Sequence, residues 1–197
     1  MNPLTIFTRF NDFLFDPKKF FKGVKKEKLV DSIKCAAPVP VVVSLIISSV
    51  LAVSLNLLVG VFVFLIIVVG FVVSNYLLHF VFVLFGGKGK LVETFQVALY
   101  YYNYLYFLIV FMLLTVFLYV GVASILRFLD LLIFPVIAVN LFVIFKFLMA
   151  VLEGFAFFHK TTKLLIFISW FVYNLVTNLI FTLIFNFYFW GSFSGFS

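Results

Sequence analysis

The stretch HFVFVLFGGKGKLVETF, residues 79–95, ends a long uncharged block of the chain. Between Lys34 and Lys88 the sequence contains no Lys, Arg, Asp or Glu; two lysines then appear among three glycines, and the chain turns apolar again. A helix needs roughly 20 apolar residues to cross about 30 Å of hydrocarbon, and the block from Cys35 to Gly87 is about twice that length. The block therefore predicts a helical hairpin in a membrane, with GGKGK as its polar exit.

The composition points to the same class of protein. Of 197 residues, 66% are hydrophobic and only 11% are charged, whereas a soluble domain is about half apolar and about a quarter charged. The 32 phenylalanines cannot all be hidden in the core of a soluble domain of this size. We therefore expect an integral membrane protein in which lipid surrounds most of the apolar side chains.

The apolar runs predict an all-α fold, namely a polytopic transmembrane helical bundle with five spans. The spans are expected near residues 36–55, 59–85, 95–121, 131–155 and 164–190, between an N-terminal arm at 1–35 and a short tail at 191–197. Ser54, Asn56 and Gly60 in SLNLLVG are expected to form the turn of the first hairpin. Long apolar runs without alternating polar residues favour helices over a membrane β-barrel.

The distribution of lysines predicts the orientation. The arm, the GGKGK loop and the HKTTK loop at residues 159–163 hold nearly all Lys and Arg and fall on one side of the five predicted spans, whereas the opposite side receives only Arg127. Because loops rich in Lys and Arg stay in the cytoplasm, we expect a cytoplasmic N-terminus and an extracytoplasmic or lumenal C-terminus.

The GGKGK loop does not match a nucleotide-binding loop. A P-loop needs GxxxxGK followed by Ser or Thr after a strand, but Leu91 follows Lys90 here and the preceding segment is a predicted span. The loop is expected to be a polar turn, with weak contact to anions through its lysines and the free amides at the start of the third span.

The arm predicts an amphipathic helix lying in the membrane interface. Asp16 is expected to cap it and Pro17 to occupy its first position, and apolar residues recur at helical spacing: Phe20, Phe21, Val24, Val30 and Ile33. Phenylalanines would enter the acyl region while lysines met anionic headgroups, each worth on the order of 1 kcal/mol. A simpler alternative is that the lysines only fix the topology.

Polar residues within the spans are the remaining candidates for function. Lys146 and Glu153 lie two turns apart on the fourth span, with Asn140 earlier, so they are expected on a similar face. These three residues have one of two expected roles: they make structural contacts with neighbouring helices, or they form a pathway for protons or ions. Asn75 and His79 form one pair at spacing i, i+4, and Asn174 and Asn178 form another; both pairs are expected to make interhelical hydrogen bonds.

The chain resembles the Yip family of five-span membrane proteins, first known as partners of Ypt and Rab GTPases. The resemblance rests on the FLFDPKKFF entry at residues 13–21 and on two patterns. The first pattern contains Gly86, Gly87, Lys88, Gly89, Glu93, Thr94, Val97 and Tyr100; the second contains Gly154, His159, Thr162 and Lys163. The resemblance implies the five-span architecture, the orientation above and a non-enzymatic membrane role. Only about 35 residues precede the first predicted span, so we expect neither the long cytosolic region of eukaryotic members nor GTPase binding.

Two functional hypotheses follow. The first is a membrane scaffold or adaptor in membrane organisation or trafficking-like processes; the second is a small transporter or channel subunit that uses Lys146 and Glu153. The expected contacts to a partner or to lipid headgroups are Lys18, Lys19, Lys22, Lys25, Lys26, Gly86, Gly87, Lys88, Gly89, Lys90, His159 and Lys163. The expected partners are anionic lipid headgroups, a membrane or cytoplasmic protein and a second copy of the chain, but not nucleic acid. No motif predicts a catalytic residue, a cofactor or a metal.

Overall fold

The computed structural model describes residues 3–54, 56–125 and 133–193. All regular structure in these ranges is helical, which confirms the predicted all-α fold. The helices are α1 (Pro3–Phe15), α2 (Pro17–Val24), α3 (Leu29–Ala36), α4 (Pro38–Ser54), α5 (Leu57–Leu84), α6 (Leu91–Ile125), α7 (Ile133–His159) and α8 (Lys163–Phe193).

Four of the described helices, α5 to α8, are long and apolar enough to cross a membrane. A fifth span is obtained if α3 and α4, which meet at a bend of 52°, are counted together. The bend falls where α4 begins at Pro38, because proline lacks an N–H and disfavours helical geometry in the residue before it. These four to five helices are compatible with a multi-pass membrane protein.

Several helix ends differ from the predicted span boundaries. The helix α6 begins at Leu91 rather than near residue 95, and α7 continues to His159 rather than ending near residue 155. A helix can extend beyond an apolar run where polar side chains bond to the free backbone groups at its end. At the start of α6 the Glu93 carboxylate accepts a hydrogen bond from the Lys90 amide at 2.7 Å. Some of the predictions lie outside the described residues. They concern the start of the fourth span at 131, the residues Arg127 and Asp130, and residues 194–197 of the tail.

The first hairpin turns between α4 and α5, as predicted. The Asn56 side chain caps α5 by accepting a hydrogen bond from the Leu58 amide at 3.0 Å. The predicted turn role of Gly60 is wrong, because Gly60 lies inside α5 and is buried against α4. A Cβ at Gly60 would stand 2.5 Å from the Ala52 Cβ, so the missing side chain allows the two helices to approach closely.

The arm contains the predicted helix start, but of the five apolar residues expected in the membrane interface only Val30 and Ile33 are exposed. Asp16 caps α2 through a hydrogen bond from the Lys19 amide at 3.2 Å, and Pro17 is its first residue. The apolar face of α2 is covered by protein rather than left for acyl chains, since Phe20, Phe21 and Val24 are buried. The arm therefore docks on the bundle, because burying one such aromatic side chain is worth about 1.5–3 kcal/mol.

The docked arm completes a core at one end of the bundle. Buried apolar side chains of α6 lie between Val97 and Leu108, and those of α7 lie between Phe147 and Phe158. Phe13 and Phe20 of the arm contact the Tyr104 ring, with ring centroids 4.7 and 5.9 Å apart. In contrast, the first half of α5 exposes most of its large apolar side chains.

Candidate functional site

The three basic segments of the chain meet at one end of the bundle. The Lys88 amide in the loop after α5 donates a hydrogen bond to the carbonyl oxygen of His159, at the end of α7, at 2.9 Å. The arm reaches the same place, since Lys25 Nζ lies 5.4 Å from the centroid of the Phe157 ring. We call this region, formed by the arm and by the loops at 85–90 and 160–162, the basic end.

The lysines predicted to contact a partner all expose their side chains at the basic end. They are Lys18, Lys19, Lys22, Lys25, Lys26, Lys88, Lys90 and Lys163. Among the described residues, two of them form ion pairs: Lys19 with Asp12, at 3.3 Å, and Lys163 with Glu153. The excess of ammonium groups over carboxylates makes the basic end a surface for anionic ligands.

The glycines of GGKGK shape the loop rather than line a binding surface. Gly86 is exposed and adopts a left-handed conformation with φ of 86°, which glycine tolerates best. Gly87 is buried, and its amide donates to the Phe82 carbonyl oxygen at 2.8 Å. Gly89 is half-buried, and a Cβ there would stand 2.9 Å from His159 Nδ1. Gly87 and His159, two of the predicted partner contacts, are both buried inside the loop packing.

One amide at the start of the third span already has a partner. The carboxylate of Glu93 accepts a hydrogen bond from the Lys90 amide, at 2.7 Å. A helix start capped by its own glutamate has less attraction for an external anion. The exposed side chains of Lys88 and Lys90 remain free for the predicted anion contact, which stays a prediction.

A chain of two histidines and a threonine joins α5, α6 and α7; Thr94 and His159 are buried, and His79 is half-buried. The Thr94 hydroxyl lies 2.8 Å from His79 Nδ1 and 3.0 Å from His159 Nε2. Since the hydroxyl has one proton, it donates to one ring and accepts from the other. His79 thus makes the predicted interhelical bond, whereas Asn75 donates to the carbonyl oxygen of Phe71 in its own helix at 2.7 Å.

A second polar network fastens the arm to α6. Arg9 is paired with Glu27 and donates to the Tyr100 hydroxyl at 3.1 Å, and Tyr100 in turn donates to Glu27 at 2.7 Å. Ser32 and Gln96 extend this network, with Gln96 donating to the Ser32 hydroxyl at 3.1 Å. Burial disfavours the charge on Arg9, but the facing Tyr100 and Glu27 outweigh it, so the pKa of the guanidinium lies above its ordinary value.

Sequence patterns contain little sign of this network. Glu27 is the one glutamate of the arm, which is an available hint, but its partner Tyr100 lies 73 residues away along the chain.

The three polar groups predicted on one face of α7 have separate partners. Lys146 Nζ lies 5.9 Å from the Phe15 ring of the arm and 5.6 Å from the Phe142 ring. Glu153 is paired with Lys163 of α8, and the Asn140 amide donates to Thr115 of α6 at 3.0 Å. These contacts favour the structural interpretation of all three residues over a continuous pathway for protons or ions.

A cavity of about 290 Å³ lies between α5, α6, α7 and α8. Three of the predicted intramembrane residues line it, namely Asn75, Asn174 and Asn178. Asn174 donates to the carbonyl oxygen of Trp170 in its own helix at 2.7 Å, rather than across to another helix. The polar residues of α5 and α8 thus converge on a cavity, which the sequence did not predict.

Comparison of the chain with protein-family models, curated proteins and solved structures found no match. The resemblance to the Yip family therefore rests on the sequence patterns alone. In space those patterns adjoin: Thr94 and Lys88 of the first both bond to His159 of the second. Tyr100 of the first pattern and Gly154 of the second both contact the docked arm.

Proposed function

We propose that the protein is a Yip-type membrane scaffold or adaptor that presents its basic end to the cytoplasm and has no enzymatic role. The observation that carries the proposal is the convergence of the arm with the 85–90 and 160–162 loops on one surface rich in exposed lysines. Loops rich in lysine remain cytoplasmic in membrane proteins, which supports this orientation.

The arm supports the proposal through the way it holds its lysines. Phe20 and Phe21 are fixed in the core, so Lys18, Lys22 and Lys26 extend outward from a docked helix and the turn that follows it. A docked arm presents these charges without the entropic cost of ordering a free segment. The resulting surface fits anionic headgroups or an acidic face of a partner protein, with each lysine near the membrane contributing on the order of 1 kcal/mol.

Purification from native membranes in mild detergent tests the proposal. One variant changes Lys88 and Lys90 to Ser and another changes Lys18, Lys22 and Lys26 to Ser; matched variants change the same residues to Arg, which keeps the charge. We expect a defined protein partner or bound anionic phospholipid to be lost in the Ser variants and kept in the Arg variants. A protein that purifies with the same proteins and lipids in all variants would contradict the proposal.

The alternative function, a small transporter or channel subunit, is favoured by the cavity between α5 and α8. Lys146 and Glu153 do not line this cavity, so a transport role would use its uncharged polar residues instead. We expect a Lys146→Leu variant to retain the scaffold's partners. Solute flux into proteoliposomes that persists in Lys146→Leu but is lost in an Asn174→Leu variant would favour a transporter that uses this cavity.

A further inference from the structure

The cavity between α5, α6, α7 and α8 has one polar side and one apolar side. Ser74 and Tyr173 share a hydrogen bond on the polar side, where Asn174, Thr177 and Asn178 follow along α8. The α7 side chains that line the cavity are all apolar, namely Leu148, Val151, Leu152 and Phe155. A mostly apolar cavity with a few convergent polar groups is the usual form of a small-molecule site.

The polar side of this cavity has unused hydrogen-bonding capacity. The bond between Ser74 and Tyr173 uses one of their two hydroxyl protons, and the other remains to be donated. Asn174 uses its amide nitrogen on the Trp170 carbonyl oxygen, which leaves its side-chain carbonyl as an acceptor. The cavity can therefore both donate to and accept from a hydroxyl group.

The described residues that line the cavity include no Asp, Glu, Lys, Arg or His. An ion would lose its hydration there without gaining a counter-charge, which costs far more than burying a hydrogen-bonded neutral group. The lining thus selects an uncharged molecule.

An apolar groove of about 530 Å³ adjoins the cavity and lies between α3, α4, α5 and α6. Ser74 and Tyr102 line both spaces, so they form the boundary between them. Along α5 the groove extends from Ser74 to Phe64, a distance of about 15 Å at the rise of a helix. Its lining is apolar except near Ser44, Ser74 and the tyrosines, which suits a hydrocarbon chain.

We propose that the cavity and the groove together bind one uncharged, single-chain amphiphile whose hydroxyl head lies beside Ser74 and Tyr173. Its hydrocarbon chain passes Tyr102 into the groove and lies along α5 towards Phe64. This site is distinct from the basic end and does not depend on the scaffold function.

Tryptophan fluorescence tests the proposal, because Trp170 lines the cavity but not the groove. The chain has two tryptophans, so Trp190→Phe leaves Trp170 as the only one. The full-length variant in detergent is titrated with 2-bromohexadecan-1-ol, whose bromine lies near the head, and with 16-bromohexadecan-1-ol, whose bromine lies at the chain end. We expect saturable quenching near one probe per protein that is stronger for the first probe. Unlabelled hexadecan-1-ol should reverse the quenching, whereas hexadecanoate should not.

Variants of the polar side provide the second part of the test. Ser74→Ala combined with Tyr173→Phe should weaken binding about tenfold, because the one hydroxyl proton of this pair that is free to bind the ligand is lost, and with it one hydrogen bond. Ser49→Ala combined with Tyr76→Phe is the matched control, since both residues are exposed and line neither space; it should bind like the parent. Ala98→Leu places a larger side chain of α6 in the cavity and should abolish binding. If this variant does not fold, the variants that remove the hydroxyl groups still test the proposal.

Three results would overturn the proposal. Quenching that rises in proportion to the probe, equally in all variants, would mean partition into detergent only. Stronger quenching by the chain-end bromine would show that the chain end, and not the hydroxyl head, lies in the cavity beside Trp170. Equal displacement by hexadecanoate and hexadecan-1-ol would show that the site does not select an uncharged head.

Discussion

Replacing Gly154 by Ala should loosen the docked arm while leaving the bundle folded. A Cβ at Gly154 would stand 2.4 Å from the Phe21 ring, which is fully buried. The ring cannot turn aside easily, because it contacts Phe13 and Phe158 with centroids 6.0 Å away in each case. Overpacking of this kind costs about 1–3 kcal/mol.

Alanine is favoured over glycine inside a helix, but α7 is helical whether the arm is docked or open, so this preference does not offset the cost. The loss in arm docking should therefore be about 1–3 kcal/mol. If exchange follows the population of the open arm, amide hydrogen exchange in α1 and α2 should become roughly 5- to 160-fold faster. Exchange in the first half of α5, away from the arm, should not change.

Gly70→Ala is the matched control, because Gly70 is also inside a spanning helix but a Cβ added there would meet no packed neighbour within 4 Å. It should leave exchange in the arm unchanged. Equal exchange in Gly154→Ala and the unsubstituted protein would refute the inference that Phe21 is held against Gly154. An equal rise in both variants would show that the effect is not local to the arm.

Three further predictions concern stability and can be measured by thermal unfolding in detergent. Tyr100→Phe removes a hydroxyl that donates to the Glu27 carboxylate and should lower the free energy of unfolding by about 1.5–3 kcal/mol. Tyr76→Phe, at an exposed site, is the control and should leave stability unchanged, and equal effects of the two variants would contradict the arm network. Gly87→Ala should lower the midpoint, because its Cβ would stand 2.7 Å from a backbone carbonyl oxygen, and an unchanged midpoint would disprove that packing. Thr115→Val and Asn140→Leu should show a coupling of about 0.6–1.7 kcal/mol in a double-mutant cycle, and additive effects would rule out their bond.

Local signals in the sequence were sufficient for the start of α2 and for the turn before α5. The cap at Asp16 and the turn at Asn56 depend on residues within a few positions of each other, so the sequence predicted both. The sequence did not predict that Phe20, Phe21 and Val24 are buried in protein, because such apolar residues suit acyl chains and a protein groove equally well. What decides between them is the space beside Gly154, which only the packed structure contains.

The polar candidates show the same limit. Helical spacing placed Lys146, Glu153 and Asn140 on one side of α7, but spacing within one helix does not reveal partners on its neighbours. Those partners come from α1, α8 and α6. The cavity was missed for this reason, since its polar groups come from helices far apart in the chain.

The side of the membrane that holds the basic end tests the central proposal most directly. Cys35, the only cysteine, is changed to Ser, and single cysteines replace Lys22, Lys88 or Lys160, which are exposed in the arm and the two loops. Intact cells are treated with a membrane-impermeant maleimide before and after permeabilisation. We predict that all three positions are labelled only after permeabilisation. Labelling of all three from outside would contradict the proposed orientation, and labelling of one or two would contradict the shared basic end itself.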